Sequence, residues 1–278
     1  MSAPIVRFEH IRFAYQLDPI LDNFNWQWPQ GQHVAILGGN GAGKTTLAKL
    51  ITDTLRPNSG DVIFADNIGP ADIAHISFDL HRELMERDRR FDDSETRDDA
   101  FDVGTTVQNV ILQGRTPNAD FHQLCERLGI KHILEQGIRF ISTGESRKTL
   151  LARALFAKPA ALILDNPFEG LDVKAQAEMH SLLAELVASS TPLVLLTKDA
   201  NDIPDGIDTV VKMEHGKILG ELSASDAKQQ ATAVHHYAKP LPITEAPAHP
   251  SDMALLELRD INVNFRGKQV LSDINWTL

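Results

Sequence analysis

Apolar and polar positions alternate at the two ends of the chain in the same way. FEHIRFAYQLDPILDNFNWQW (8–28) and LRDINVNFRGKQVLSDINWTL (258–278) align without a gap at an offset of 250 residues. Ile11 meets Ile261, Leu21 meets Leu271, Asn25 meets Asn275 and Trp26 meets Trp276. Phe8, Phe13, Tyr15, Ile20 and Phe24 meet Leu258, Val263, Phe265, Val270 and Ile274. A period of two predicts a pair of strands at each end, and the Asn-Trp match, which alternation does not supply, predicts that the second pair repeats the first. The reading is a first domain over 1–223 and the start of a second copy over 255–278, whose continuation would follow residue 278.

Three apolar runs between these ends predict buried strands. His33–Leu37 precedes a glycine-rich stretch and a helical pattern through Leu55. Leu162-Ile163-Leu164 ends on Asp165 as a parallel core strand would, and LVLLTKDA (193–200) has the same character. Residues 224–254, with prolines at 240, 242, 247 and 250, read as an extended linker. Residues 82–99, RELMERDRRFDDSETRDD, carry eight acidic and five basic side chains, the composition of a solvated helix face or loop.

Composition narrows the class only slightly. A chain of 278 residues, 42% hydrophobic, can bury a sizeable core. With 27 Lys and Arg against 38 Asp and Glu, the net charge of -11 repels nucleic acid and anionic membrane, so no nucleic-acid partner is expected and any bound anion needs a local site. Cys125 is the only cysteine, which excludes an internal disulfide framework and fits a reducing, cytoplasmic setting. The N-terminus lacks the apolar core of a secretion signal, and 18 consecutive apolar residues occur nowhere, so membrane work would require a partner. The histidines, His10, His33, His75, His81, His235 and His236 among them, lack the spacing of a zinc site and are assigned core or solvent roles.

The strongest chemical signal is Gly38-Gly39-Asn40-Gly41-Ala42-Gly43-Lys44-Thr45-Thr46, set between strand and helix. Glycines let backbone N–H groups curl around phosphate oxygens while the new helix points its positive end at them. Lys44 then reaches the β and γ phosphates, and the Thr45 hydroxyl ligates magnesium. Asp165 is the carboxylate such a site uses to hold magnesium through water. ATP and Mg2+ are therefore the expected ligands.

The run ISTGESRKTLLARALFAKPAALILDNPFEGLD (141–172) resembles, without a gap, the segment of ATP-binding-cassette (ABC) proteins from their signature motif through Walker B to the D-loop. The resemblance implies an α/β fold: a P-loop NTPase core with an antiparallel β subdomain (6–29, with RPNSGDVIF, 56–64, as return strand) and a helical subdomain at about 79–148. It implies that Tyr15 stacks on adenine and that domains pair head to tail. Ser142, Thr143, Gly144 and Glu145 would then meet the ATP of a partner, either the second domain of the same full-length chain or a homodimer mate. The signature's form and the tandem layout are most similar to the ModF group, linked with molybdate transport or photorepair.

Four departures from the family pattern, at five positions, bear on mechanism. Thr143 and Glu145 replace Gly and Gln in the signature, and Phe78 stands at the Q-loop glutamine. Asn166 replaces the carboxylate that polarises attacking water, and Lys198 replaces the switch histidine. An amide cannot take a proton from water, and a lost general base costs on the order of 10²- to 10⁴-fold in rate. The expectation is a site that binds ATP and turns it over slowly. Three roles stay open: an ATPase docked on a membrane permease at the inner face of the membrane, which the absent Q-loop glutamine weakens, a soluble tandem switch without one, or a pure binding module with no turnover.

Overall fold

The computed structural model describes residues 4–90, 103–237, 256–265 and 268–277. They divide into two units at the His236–Tyr237 bond. The first unit opens with β1 (Val6–Ala14) and β2 (Pro19–Trp28), which pair antiparallel, and β4 (Ser59–Phe64) adds to the other edge of β1. Alternate residues of β1 and β2 face inward: Phe8, Ile11, Leu21 and Trp28 are at most 1% exposed.

A six-stranded sheet forms the centre, in the order β5 (Ile73–Ile76), β6 (Ala161–Asp165), β7 (Leu193–Thr197), β3 (Val34–Leu37), β8 (Thr209–Glu214), β9 (Lys217–Leu222). Five strands run parallel and β9 returns antiparallel. Successive residues serve opposite faces. Ile36, Ile163 and Leu196 pack with β1, β2 and α1 (Lys44–Ile51), whereas Ala35, Leu162, Leu164 and Leu195 pack in a second core. That core includes α5 (Thr143–Phe156) and α6 (Val173–Val187). Strands buried on both faces explain why these runs read as continuously apolar.

Within the stretch expected to be helical lie α2 (Phe78–Arg90), α3 (Val107–Leu112) and α4 (Ala119–Arg127). The acidic-basic run is not wholly a solvated face. Asp88, in α2, is 6% exposed, lies 2.8 Å from Arg139 Nε and accepts the Thr105 N–H at 2.7 Å. The pair ties α2 to the segments around residues 105 and 139, and sequence alone could not distinguish it from its charged neighbours. The rest of that run, from 91, lies outside the described residues.

The linker expectation also needs correction at its start, where residues 224–237 form helix α7 (Ala224–Tyr237). Ser223 accepts the Asp226 N–H and donates to the Asp226 carboxylate, capping the helix, and Ala227 is buried at 2% exposure. The prolines that suggested a linker all follow Tyr237, and the remainder of that stretch lies outside the described residues.

The second unit is a hairpin of β10 (Glu257–Phe265) and β11 (Lys268–Thr277). Its pairs Leu258–Trp276, Ile261–Ile274 and Val263–Leu271 reproduce Phe8–Trp26, Ile11–Phe24 and Phe13–Leu21, with register breaks at corresponding points. His10 and Asn23 have positive φ (51° and 49°), as do Asp260 and Asp273 (50° and 49°). Asn25 accepts the His10 N–H and Asn275 the Asp260 N–H, both at 2.9 Å. The conserved spacing of Asn and Trp in the two copies thus serves one bulged hairpin.

Two outcomes follow from packing. Gly216, in the two-residue turn between β8 and β9 (φ +72°), leaves no room for a side chain: a Cβ would fall 1.8 Å from the Ile20 carbonyl oxygen. Gly216→Ala should destabilise the first unit by more than about 2 kcal/mol, read from urea unfolding, and an unchanged midpoint would contradict this packing. The buried Cys125 thiol is pushed up to about 11 by burial, and only thiolate reacts. At pH 8 an aromatic disulfide reagent should label it far more slowly in native protein than in urea; prompt native labelling would refute that burial.

Candidate nucleotide site

The phosphate loop is fixed from three directions. Gly38 N–H donates to Thr197 O at 3.0 Å, joining the end of β3 to β7. Gly216 N–H donates to Ala42 O at 3.0 Å. Gly38 has no space for a Cβ, which would lie 2.3 Å from Met213 O, and Gly41 and Gly43 take φ of 79° and 99°, conformations open to glycine at little cost. Lys44 is 5% exposed and its Nζ donates to the carbonyls of Gly38 (2.7 Å) and Gly39 (3.0 Å). Burial lowers its pKa, Asp165 opposes that, and Lys198 adds to it. An anion inside the loop would favour the charged ammonium.

Asp165 ends β6, and Thr45 is the second residue of α1 beyond β3, with β7 between the two strands. Thr45 Oγ1 donates to Asp165 Oδ2 at 2.7 Å. The carboxylate is 4% exposed, a position that isolated charge would make costly. Hydroxyl and carboxylate oxygens are hard donors that suit magnesium. Thr45 and Asp165 therefore fit the expected cation. Asn166 has φ +49° and turns its Nδ2 to Asp165 Oδ1 at 3.0 Å. Thr46 points into the core at 7% exposure.

Lys198 is exposed and lines, with Asp199, Ala200 and Lys212, a cleft of about 680 Å³ against the outer side of Gly38, Gly39, Asn40, Gly41 and Ala42. Tyr15, 61% exposed, stands edge-on to Phe13 just before β2, whose first residues Ile20 and Leu21 abut Gly43. Phe78 is the first residue of α2, directly after Ser77.

Ser142, Thr143, Gly144 and Glu145 lie elsewhere, in a cleft of about 640 Å³ shared with Lys148, Asp172 and Lys174 and with no residue in common with the first. Ser142 caps α5: its Oγ accepts the Glu145 N–H at 3.2 Å, and its N–H and hydroxyl donate to Glu145 Oε2 at 2.8 and 2.7 Å. The S-x-x-E spacing is that of a capping box, and it explains a glutamate at that position. His75, assigned a core or solvent role by spacing, instead has its Nε2 3.7 Å from Asp165 Oδ2. No spacing rule finds it, because strand pairing rather than chain distance brings the two together.

The family model for the ABC transporter matches residues 21–169. The chain belongs to the ABC transporter family. Among curated relatives, the zinc import ATP-binding protein ZnuC of Marinobacter nauticus is 35% identical over 67% of the chain and 65% of its own length. ModF of Escherichia coli is 27% identical over 88% of the chain and 52% of its own length, and an ABC transporter ATP-binding protein of Schizosaccharomyces pombe is 26% identical over 99% and 59%. The chain thus spans between about half and two thirds of the length of these relatives. Among solved structures, a nucleotide-free ATP-binding cassette from an ABC transporter matches with a TM-score of 0.65 at 20% identity, covering 83% of this chain and 96% of its own. The α/β cassette fold is shown by that likeness. No helix among the described residues is long and apolar enough to cross a membrane.

The signature helix makes a pH-dependent prediction. Burial raises the Glu145 pKa, but hydrogen bonds from Ser142 and the nearby His132 outweigh it, and the net direction is down. A carboxylate depressed in the folded state stabilises above its unfolded pKa and loses that contribution as pH falls through its folded value. Glu145→Ala should cost about 1 kcal/mol at pH 7, and the difference from wild type should shrink in urea unfolding below about pH 4.5. A gap that persists in acid would show that the charge is not what caps α5.

Proposed function

We propose that this chain is the nucleotide-binding part of an ABC system: it binds Mg-ATP in the loop 38–46 and hydrolyses it slowly. The observation that carries the second half is Asn166. Its side chain is engaged as a donor to Asp165, in a place where hydrolysis needs an acceptor for the proton of attacking water. Lys198, also a donor, retains charge stabilisation of a γ-phosphate but not proton transfer. Magnesium would supply phosphate charge neutralisation; Thr45 and Asp165 would hold it, Lys44 would orient the phosphates and Tyr15 would take the adenine face.

The cleft that holds Ser142 and Gly144 contains none of Lys44, Thr45 or Asp165, which supports head-to-tail pairing, with Ser142 and Gly144 completing a partner's site. The matches to the Escherichia coli and Schizosaccharomyces pombe proteins run over most of this chain, and the hairpin β10–β11 repeats β1–β2. Both favour a tandem, ModF-like arrangement with a second cassette as partner. Zinc import proteins are equally among the relatives, so molybdate as cargo rests on the ModF likeness alone. Against a permease-coupled role stands Phe78, which begins α2 where a coupling loop would lie; this favours a soluble tandem switch as the second reading.

Calorimetry with Mg-ATP tests the first claim, with Lys44→Ala expected to weaken binding by roughly 10- to 100-fold through lost charge-assisted bonds. Absence of binding by the native chain would sink the reading. Asn166→Glu should raise turnover by about 10²-fold or more, even though a glutamate at φ +49° gives up about 1 kcal/mol of stability. Turnover unchanged by that substitution would mean the base was not what limits the reaction.

A further inference from the structure

We infer that His75 is a nitrogen ligand of the divalent cation that accompanies the nucleotide, an inference that rests on the nucleotide reading above. His75 lies on β5, paired with Ile163 of β6. Residues two apart on a strand share a face, and paired residues of neighbouring strands do too, so His75, Ile163 and Asp165 all point to the side of α1. The imidazole is 12% exposed, and its Nε2 is buried with no hydrogen bond among the described residues.

Buried polar atoms are nearly always paired, and each exception needs a physical cause. Asp165 Oδ2 does not supply the pairing, since at 3.7 Å it is beyond hydrogen-bond reach of Nε2 and already accepts from Thr45 at 2.7 Å. With ligand bonds of about 2.1 Å, two ligands at right angles around one cation lie about 3.0 Å apart and opposite ones about 4.2 Å. The observed 3.7 Å exceeds the right-angle value by about 0.7 Å, so a small closing movement of the imidazole or the carboxylate brings both groups onto one cation. With its proton on Nδ1, the ring offers a lone pair at Nε2. Oδ2 of Asp165 and Oγ1 of Thr45 supply oxygen beside it.

The consequence is a shift in metal preference. Two oxygen donors alone suit magnesium, and an added imidazole nitrogen favours manganese or cobalt over magnesium. His75 thereby turns a generic magnesium-nucleotide site into one that discriminates among divalent cations.

The test uses Mn2+ and a non-hydrolysable ATP analogue with the whole chain. Pulsed electron paramagnetic resonance should show nitrogen modulation of the nucleotide-bound Mn2+ echo, and growth on 15N-histidine should change its frequency. Only a ligating histidine among the 11 in the chain produces that change. His75→Gln should remove the modulation and lower the Mn2+ over Mg2+ preference by on the order of tenfold. The isotope measurement needs no variant, so a poorly folding His75→Gln leaves it decisive. An echo identical with 14N- and 15N-histidine while Mn2+-nucleotide is bound overturns the role of His75 alone. Failure of Mn2+ and analogue to bind at all overturns the nucleotide reading and this inference together.

Discussion

One hydrogen bond organises the site: Thr45 Oγ1 to Asp165 Oδ2 at 2.7 Å. Its two ends come from elements that flank β6 and β3, strands separated by β7, so the side chains bridge about two strand spacings, or about 9.6 Å. Such a contact requires the three strands in that order, parallel and in register. The continuous apolar runs at 34–37, 161–164 and 193–196 are what allow this, because only strands covered on both faces can sit side by side at the centre of the sheet. The cost falls on Asp165, a carboxylate held at 4% exposure. A hydroxyl and an amide partially offset its desolvation.

The unusual residues have local structural reasons as well as chemical consequences. Asn166 occupies a left-handed backbone position that asparagine tolerates better than most residues, and it spends its amide on Asp165. Glu145 closes the cap of α5 but sets a negative charge beside Ser142 and Gly144, where a partner's phosphate would arrive. Ser142 donates its hydroxyl to that carboxylate, so meeting a phosphate means giving up a charge-assisted bond. On the proposed reading, Asn166 slows turnover at the local site, while the charge of Glu145 makes the surface offered to a partner less receptive to phosphate.

Much of this was legible in the chain. The strand-loop-helix order, the carboxylate at 165 and the repeat at offset 250 were recoverable because each depends on neighbours in sequence or on a fixed period. Asp88 and His75 were not, for the same physical reason: their meaning comes from pairing with Arg139 and Asp165, residues 51 and 90 positions away. Helix α7 was obscured by the prolines that follow it, although Ser223 and Asp226 carried a start signal. The separation of the two clefts is a property of the sheet and of α5 together, and no local pattern encodes it.

The hairpin β10–β11 shows how far a repeated pattern constrains structure. It adopts the bulges and register of β1–β2, yet Ile261, Val263, Leu271 and Trp276 are 37–49% exposed where Ile11, Phe13, Leu21 and Trp26 are 0–7%. In the first copy the inward face is covered by α1 and by β3 and β8 of the central sheet. A two-stranded hairpin is marginal in water without such a layer, and at about 25 cal/mol per Å² each uncovered side chain forgoes roughly 1–2 kcal/mol. The local sequence thus suffices to specify the bulged geometry, because Asn275 and the left-handed residues act within the hairpin. It does not suffice to stabilise that geometry. The alternation that dictates the register also sets apart an apolar face of the kind that α1, β3 and β8 cover in the first copy.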